Sequence, residues 1–202
     1  MKKPAPPEPS TADVRRKELL EAAFGLIAEK GLEGLRTRDI ADRVGINIAT
    51  LHYYFESKDD LVMAVLGYVR EKFAEQARAA ATEKTAEETL KIMFTPGRHA
   101  RVEARAEVAA VIDELGLRAR RDEKVRAVFV EMYQEWNRHI AELLRRGIEE
   151  GSVRPDIDPK SAAAVLTSFW LGARTQLGNN PKAFDMLAAS SQLHQWLRKS
   201  EP

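Results

Sequence analysis

Three capping boxes punctuate this chain: Ser10 with Asp13, Ser57 with Asp60, and Thr85 with Glu88. In such a pair the hydroxyl accepts an amide of the first helical turn and the acid reaches back to the amide of the cap, so each pair marks a helix start. Gly31, Gly45, Pro96-Gly97 and Gly151 read as stops, Thr37 as the cap of a short second helix, and Pro159 and Asn180-Pro181 as further starts. Between these marks apolar residues recur at helical spacing, while long period-2 alternation and Asn-Gly or Asp-Gly hairpins are missing. The pattern predicts an all-α fold of about nine helices, near 13–30, 37–45, 47–55, 57–80, 85–95, 99–115, 123–150, 159–177 and 180–198. A boundary near residue 57 then divides the chain into a Pro-rich tail (1–12), a three-helix head (13–57) and a six-helix body (58–202).

Composition narrows the classes. Hydrophobic residues make up 44% and charged residues 31% of the 202, the profile of an ordinary globular chain. No apolar run approaches the roughly 20 residues of a membrane span. Lys2 and Lys3 are not followed by the apolar segment of a secretory signal, so the expectation is a cytoplasmic protein with no membrane partner. The absence of cysteine excludes disulfides and thiolate metal sites. Net charge is +1, and residues 1–58 repeat it, with ten Lys+Arg against nine Asp+Glu. Any surface for nucleic acid must therefore arise from local arrangement of charge.

The head carries the most specific pattern. In residues 37–55 the apolar positions Ile40, Ala41, Val44, Ile46, Leu51 and Phe55 suit two short helices crossing steeply, with Gly45 in the turn. Such a pair lays its second helix in the major groove. Asn47, Ile48, Ala49 and His52 then face outward as candidate base readers, and Arg38 has the reach to a guanine edge. Thr37, Thr50, Tyr53, Tyr54 and Lys58 are candidate backbone contacts, which fix register without reading sequence. Tyr53 and Tyr54 taken alone also read as packing residues, and Arg38 alone as a surface charge.

The stretch T-x-D-I-A-x-x-x-G-I-x-x-A-T-L-H-Y-Y-F-x-S-K-D-D-L, with the helix before it, resembles the TetR family over about residues 14–66. The resemblance implies an all-helical homodimer that binds an inverted-repeat DNA operator, usually as a repressor, and whose body binds a small-molecule effector. One departure is visible: the family often has Tyr where His52 stands and His where Tyr54 stands. The body is similar to the subset that includes the choline-sensing betaine regulator. The cue is the turn Gly147-x-x-x-Gly151-x-x-Arg154-Pro-Asp-x-Asp-Pro159, which regulators of unrelated ligands share.

In the body, Met93, Phe94, Val108, Ile112, Phe129, Met132, Tyr133 and Trp136 are candidate pocket walls, and core packing explains the same residues. His139 reads either as a core histidine or as a hydrogen-bonding pocket residue. Arg105 reads either as a solvated charge or as a partner for an acidic ligand. The helix from Pro159 is small or apolar on every side and is expected to be buried on more than one face. The family resemblance, with that composition, places a dimer contact on Val165, Ser168, Phe169, Gly172, Phe184, Leu187 and Ser191.

Two rivals remain. One is a regulator of the same fold that senses no small molecule and acts through a protein partner or as an activator. The other is a helical-bundle enzyme. None of the histidines (His52, His99, His139, His194) has Glu three residues earlier, and H-E-x-x-H, phosphate-loop and G-x-S-x-G motifs are missing. No catalytic residue, metal or cofactor is therefore expected.

Overall fold

A computed structural model describes residues 10–81, 84–94 and 102–198, with backbone alone at 76–81, 94 and 102–106. The described residues form α1 (Thr11–Gly34), α2 (Thr37–Val44), α3 (Ile48–Tyr54), α4 (Lys58–Ala81), α5 (Ala86–Phe94), α6 (Val102–Ala119), α7 (Glu123–Glu149), α8 (Pro159–Asn179) and α9 (Met186–Leu197). Among them no strand forms; one isolated bridge joins Val153 to Arg198.

The capping boxes act as their spacing predicts. The Ser10 hydroxyl accepts the Asp13 amide at 3.2 Å, and the Asp13 carboxylate accepts the Ser10 amide at 3.1 Å. Because Ser10 is the cap, α1 already begins at Thr11, and residues 11 and 12 belong to the helix and not to a tail. Ser57 accepts the Asp60 amide at 3.1 Å, and Thr85 accepts the Glu88 amide at 3.2 Å.

Three boundaries differ from expectation. Thr37 is the first residue of α2 and not its cap; extended Arg36 precedes it without a side-chain cap. α6 runs past Leu115 to Ala119, because Ala119 continues the buried stripe of Val111, Ile112 and Leu115. Asn180-Pro181 forms a turn, in which the Asn180 carbonyl accepts the Ala183 amide at 2.9 Å. α9 starts only where the Asp185 carboxylate accepts the amides of Leu187 and Ala188 at 2.8 and 3.1 Å.

Two hydrophobic cores organise the packing. The first joins Leu19, Leu26 and Ile27 of α1, Ile40 of α2, Leu51 of α3 and Leu61, Val65 and Leu66 of α4 to Val111 and Leu115 of α6 and Phe129 of α7. The second collects Leu90, Ile140, Leu144, Ala163, Leu166 and Leu193 from α5, α7, α8 and α9. The head thus shares a core with the body, and α6 is its second attachment beside the continuous α4.

Polar contacts lock the attachment. Gly31 turns the chain at φ +71°, and a Cβ there would come within 3.1 Å of the Glu114 carboxylate. The same carboxylate accepts the Leu32 amide at 2.9 Å, while Lys58 Nζ donates to the Leu32 carbonyl at 3.0 Å. Arg118 pairs with Asp59 at 2.9 Å and Asp122 at 2.8 Å, tying α6 to the first turn of α4.

Candidate nucleic-acid interface and body cavity

α3 is held from both sides. Asn47 caps it: its side-chain oxygen accepts the Thr50 amide at 2.7 Å and the Thr50 hydroxyl at 2.9 Å. Gly45 reaches it from α2 with φ +73°, a left-handed turn that admits no ordinary side chain cheaply. Leu51 and Phe55 face the core. Positions 48, 49, 52 and 53 fall on the other face, and Ile48, Ala49, His52 and Tyr53 are all exposed.

The remaining candidates divide. Tyr53 is 82% exposed, whereas Tyr54 packs partly against the core and meets Tyr53 edge-on at 5.3 Å between ring centres. Thr37 and Thr50 are half-buried, and Arg38 is exposed. The cap leaves only the amide nitrogen of Asn47 for an outside acceptor. Lys58 is exposed, with its ammonium on the Leu32 carbonyl.

Charge in the head is sorted by ion pairs that local patterning does not reveal. Lys30 pairs with Asp39 at 2.8 Å and Arg43 with Glu29 at 2.7 Å. The hydrogen bonds from these bases hold both carboxyls below their usual range. Among the described residues, Arg36 and Arg38 have no carboxylate within 4 Å. Two arginines without an ion pair thus flank Thr37 at the start of α2, with the charge of Arg36 still felt by Asp39. Arg36 escaped the sequence reading because its distinction lies in where the acids of the head go.

The body contains a cavity of about 280 Å³ between the two cores. Ile112, Phe129, Met132, Tyr133, Trp136 and His139 line it, as do Arg70, Phe73 and Ala74 of α4, Glu135 of α7 and Thr167, Trp170, Leu171 and Arg174 of α8. Met93 and Val108 do not; they pack on the second and first cores, because a helical stripe does not distinguish a wall from a core. The side chains of Phe94 and Arg105 lie outside the described residues.

The polar groups of this cavity are largely satisfied by each other. Arg70 donates to Glu131 at 3.0 Å and to Glu135. Arg174 donates to Asp113 of α6, and the Thr167 hydroxyl donates to the Asn137 side-chain oxygen at 2.6 Å. Burial, with Arg146 nearby, pushes the His139 imidazole below its ordinary range, so it is neutral at pH 7. Two atoms of the lining residues, His139 Nε2 and Arg174 Nε, are buried without a hydrogen-bond partner.

A further face lies on α8 and α9. Val165, Leu187 and Trp196 are 63%, 58% and 62% exposed. Ser168, Gly172 and Ser191 are exposed beside them, and Phe169 and Phe184 are half-buried. The expected burial of α8 on several faces is thus not met within one chain.

Comparison with known proteins gives this architecture a family. A profile described as bacterial regulatory proteins of the tetR family matches residues 19–65, and one described as the C-terminal part of BetI-type transcriptional repressors matches residues 100–200. The HTH-type transcriptional repressor KstR2 of Rhodococcus jostii is 31% identical over 163 residues, 79% of this chain and 78% of that protein. The chain belongs to the TetR family. KstR2 of Mycobacterium tuberculosis is 34% identical over 146 residues, covering 71% and 72% of the two chains. A transcriptional regulator from Saccharomonospora viridis, solved in complex with choline, is 27% identical with a TM-score of 0.75, covering 90% of this chain and 94% of its own. A TetR regulator from Cytophaga hutchinsonii shares the fold at a TM-score of 0.84 and 17% identity, over 96% and 100% of the two chains. This TetR-family chain is accordingly a DNA-binding transcriptional regulator with α2 and α3 as its helix-turn-helix. Among the described residues no helix is long and apolar enough to cross a membrane.

Proposed function

We propose that the protein is a homodimeric repressor that leaves an inverted-repeat operator when a small molecule fills the body cavity. The observation that carries this reading is the path of α6. Ile112 lines the cavity, Asp113 pairs with the lining residue Arg174, Glu114 grips the Leu32 amide, and Arg118 holds Asp59. One helix thus meets the cavity and, over the next two turns, the head. A ligand that shifts α6 changes how the head is held, and so how two heads fit one operator.

Repression is supported by the names of the relatives, and a body-bound effector by the choline complex of the S. viridis regulator. The dimer is supported by the exposed face of Val165, Ser168, Gly172, Leu187, Ser191 and Trp196, whose small residues permit close helix approach and whose large ones need cover. In this reading Arg38, Ile48, Ala49 and His52 meet bases, helped by the Asn47 amide nitrogen. Thr37, Tyr53 and Lys58 hold phosphates, Thr50 joins them once its O–H swings from the Asn47 cap to a phosphate oxygen, and Tyr54 mainly supports Tyr53 from behind.

Selection of genomic fragments by the purified protein tests it. The expected fragments share an inverted repeat and overlap promoters. Fragments bound without a shared repeat would refute the dimeric reading.

A further inference from the structure

The basic side chains of the head fall into two groups. Arg15 pairs with Glu18, Lys17 with Glu21, Lys30 with Asp39 and Arg43 with Glu29, and the Arg16 guanidinium lies over the Phe55 ring at 4.9 Å. Arg36, Arg38 and Lys58 meet no carboxylate within 4 Å among the described residues. Arg38 and Lys58 already have roles on DNA in the reading above; Arg36 has none. Its backbone explains where it points. Leu35 (φ −70°, ψ 113°) and Arg36 (φ −116°, ψ 135°) are both extended, so their side chains leave on opposite sides. Leu35 is buried and Arg36 is exposed. The Arg36 carbonyl accepts the amide of buried Ile40 at 3.3 Å, so the root of the side chain is fixed from both sides. Thr37 follows and opens α2, the helix that crosses the DNA backbone in a docked helix-turn-helix. Two acids stand three residues away. Glu33 is exposed and makes no pair with Arg36, and Asp39 feels the Arg36 charge while its carboxylate is held by Lys30 at 2.8 Å.

We propose that Arg36 is a further contact to the DNA backbone, and that Lys30 keeps it available by occupying Asp39. This rests on the placement of α2 and α3 against DNA in the reading above. Arg36, Thr37 and Arg38 then act as one run at the start of α2. Arg36 and Thr37 hold phosphate oxygens, and Arg38 reaches the base edge. A guanidinium on a phosphate releases condensed counterions, so Arg36 adds affinity for every sequence and steepens its fall with salt. Asp39 decides whether that charge is offered to DNA. With Lys30 in place the carboxylate is engaged; without Lys30 the same carboxylate turns to Arg36 and withdraws it.

Fluorescence anisotropy on the full-length protein tests this, with a genomic fragment selected by the protein and a mixed-sequence duplex, over about 50–200 mM KCl. Arg36 and Lys30 are exposed, so their variants keep the fold. Arg36→Met should weaken binding to both DNAs about tenfold at the lowest salt and flatten the log–log salt slope by about one unit for each bound head. Arg36→Lys should keep the slope. Lys30→Met should reproduce part of the loss, Asp39→Asn added to it should reverse that part, and Lys30→Met should cost nothing further in Arg36→Met. An unchanged slope in Arg36→Met, while Lys58→Ala flattens its own, overturns the Arg36 contact alone. Unchanged slopes in both variants overturn the placement of the head on which it rests. A loss confined to the selected fragment makes Arg36 a base reader and overturns the backbone role. An equal loss from Lys30→Met with and without Arg36 makes Lys30 a contact in its own right and overturns its part in the proposal.

Discussion

The proposed DNA-contacting face of the head is drawn from residues 36–58, whereas the cavity of the body takes its walls from residues 70–174 on four helices. The first site is contiguous. Its geometry follows from one left-handed glycine, one Asn cap and two buried residues, so it moves as a unit. The second exists only where α4, α6, α7 and α8 come together, and a shift of any one reshapes it. A contiguous site suits reading a fixed text. A discontinuous one suits control, because filling it necessarily acts on the helices that make it.

The largest test asks whether the head suffices alone. Gly172→Arg, placed on the open face of α8, should yield monomers in sedimentation and lower operator affinity about 100-fold or more, since two linked heads act together. An intact dimer would move the contact elsewhere, and full affinity from a monomer would break the contrast between head and body.

Within the head, Arg38→Ala should relax discrimination at one operator position by about 1–3 kcal/mol, read by competition among single-base variants. Uniform weakening across sequences would make Arg38 a backbone contact. Lys58→Ala should do the opposite, weakening all DNA alike and flattening the salt dependence by about one unit of log–log slope. Because Lys58 also holds the Leu32 carbonyl, a sequence-selective loss would show that its structural bond outweighs its charge.

The smallest effect concerns pH. Burial lowers the His139 and His194 imidazoles, helped by the charges of Arg146 and Lys91 respectively. The unfolded chain then takes up protons near the ordinary value of 6.5, while the folded chain resists them until lower pH. Their contribution is complete above 6.5 and is lost as pH falls towards the lowered folded values. Urea titrations between pH 7.5 and 5 should show this decline, and His139→Phe should flatten part of it. An unchanged slope would place His139 in contact with solvent.

Legibility followed the same divide. Ser10, Ser57 and Thr85 were readable as helix starts because a cap and its partner are three residues apart. The helix-turn-helix was readable because all its parts lie within one stretch. Thr37 and Asn180-Pro181 misled because several residue types tolerate a first turn, and only the packing decides which one carries the cap. In the body, the Phe129–His139 stripe was visible, but Arg70, Thr167 and Arg174 were not, since nothing local marks residues that meet across 30 to 100 positions. Trp196 was overlooked among polar neighbours on α9, and Arg36 because its importance depends on ion pairs elsewhere in the head.

The central claim is that the cavity speaks to the head through α6. It is tested most directly by operator titration with the cavity empty and then saturated with a probe shown by calorimetry to occupy it, for the wild type and Glu114→Ala. Saturation should weaken operator binding of the wild type about 5–150-fold, the range of ordinary coupling energies. Glu114→Ala, which frees the Leu32 amide, should bind the probe as before and lose most of that difference. A variant that keeps the full ratio would contradict coupling through the Glu114 contact of α6.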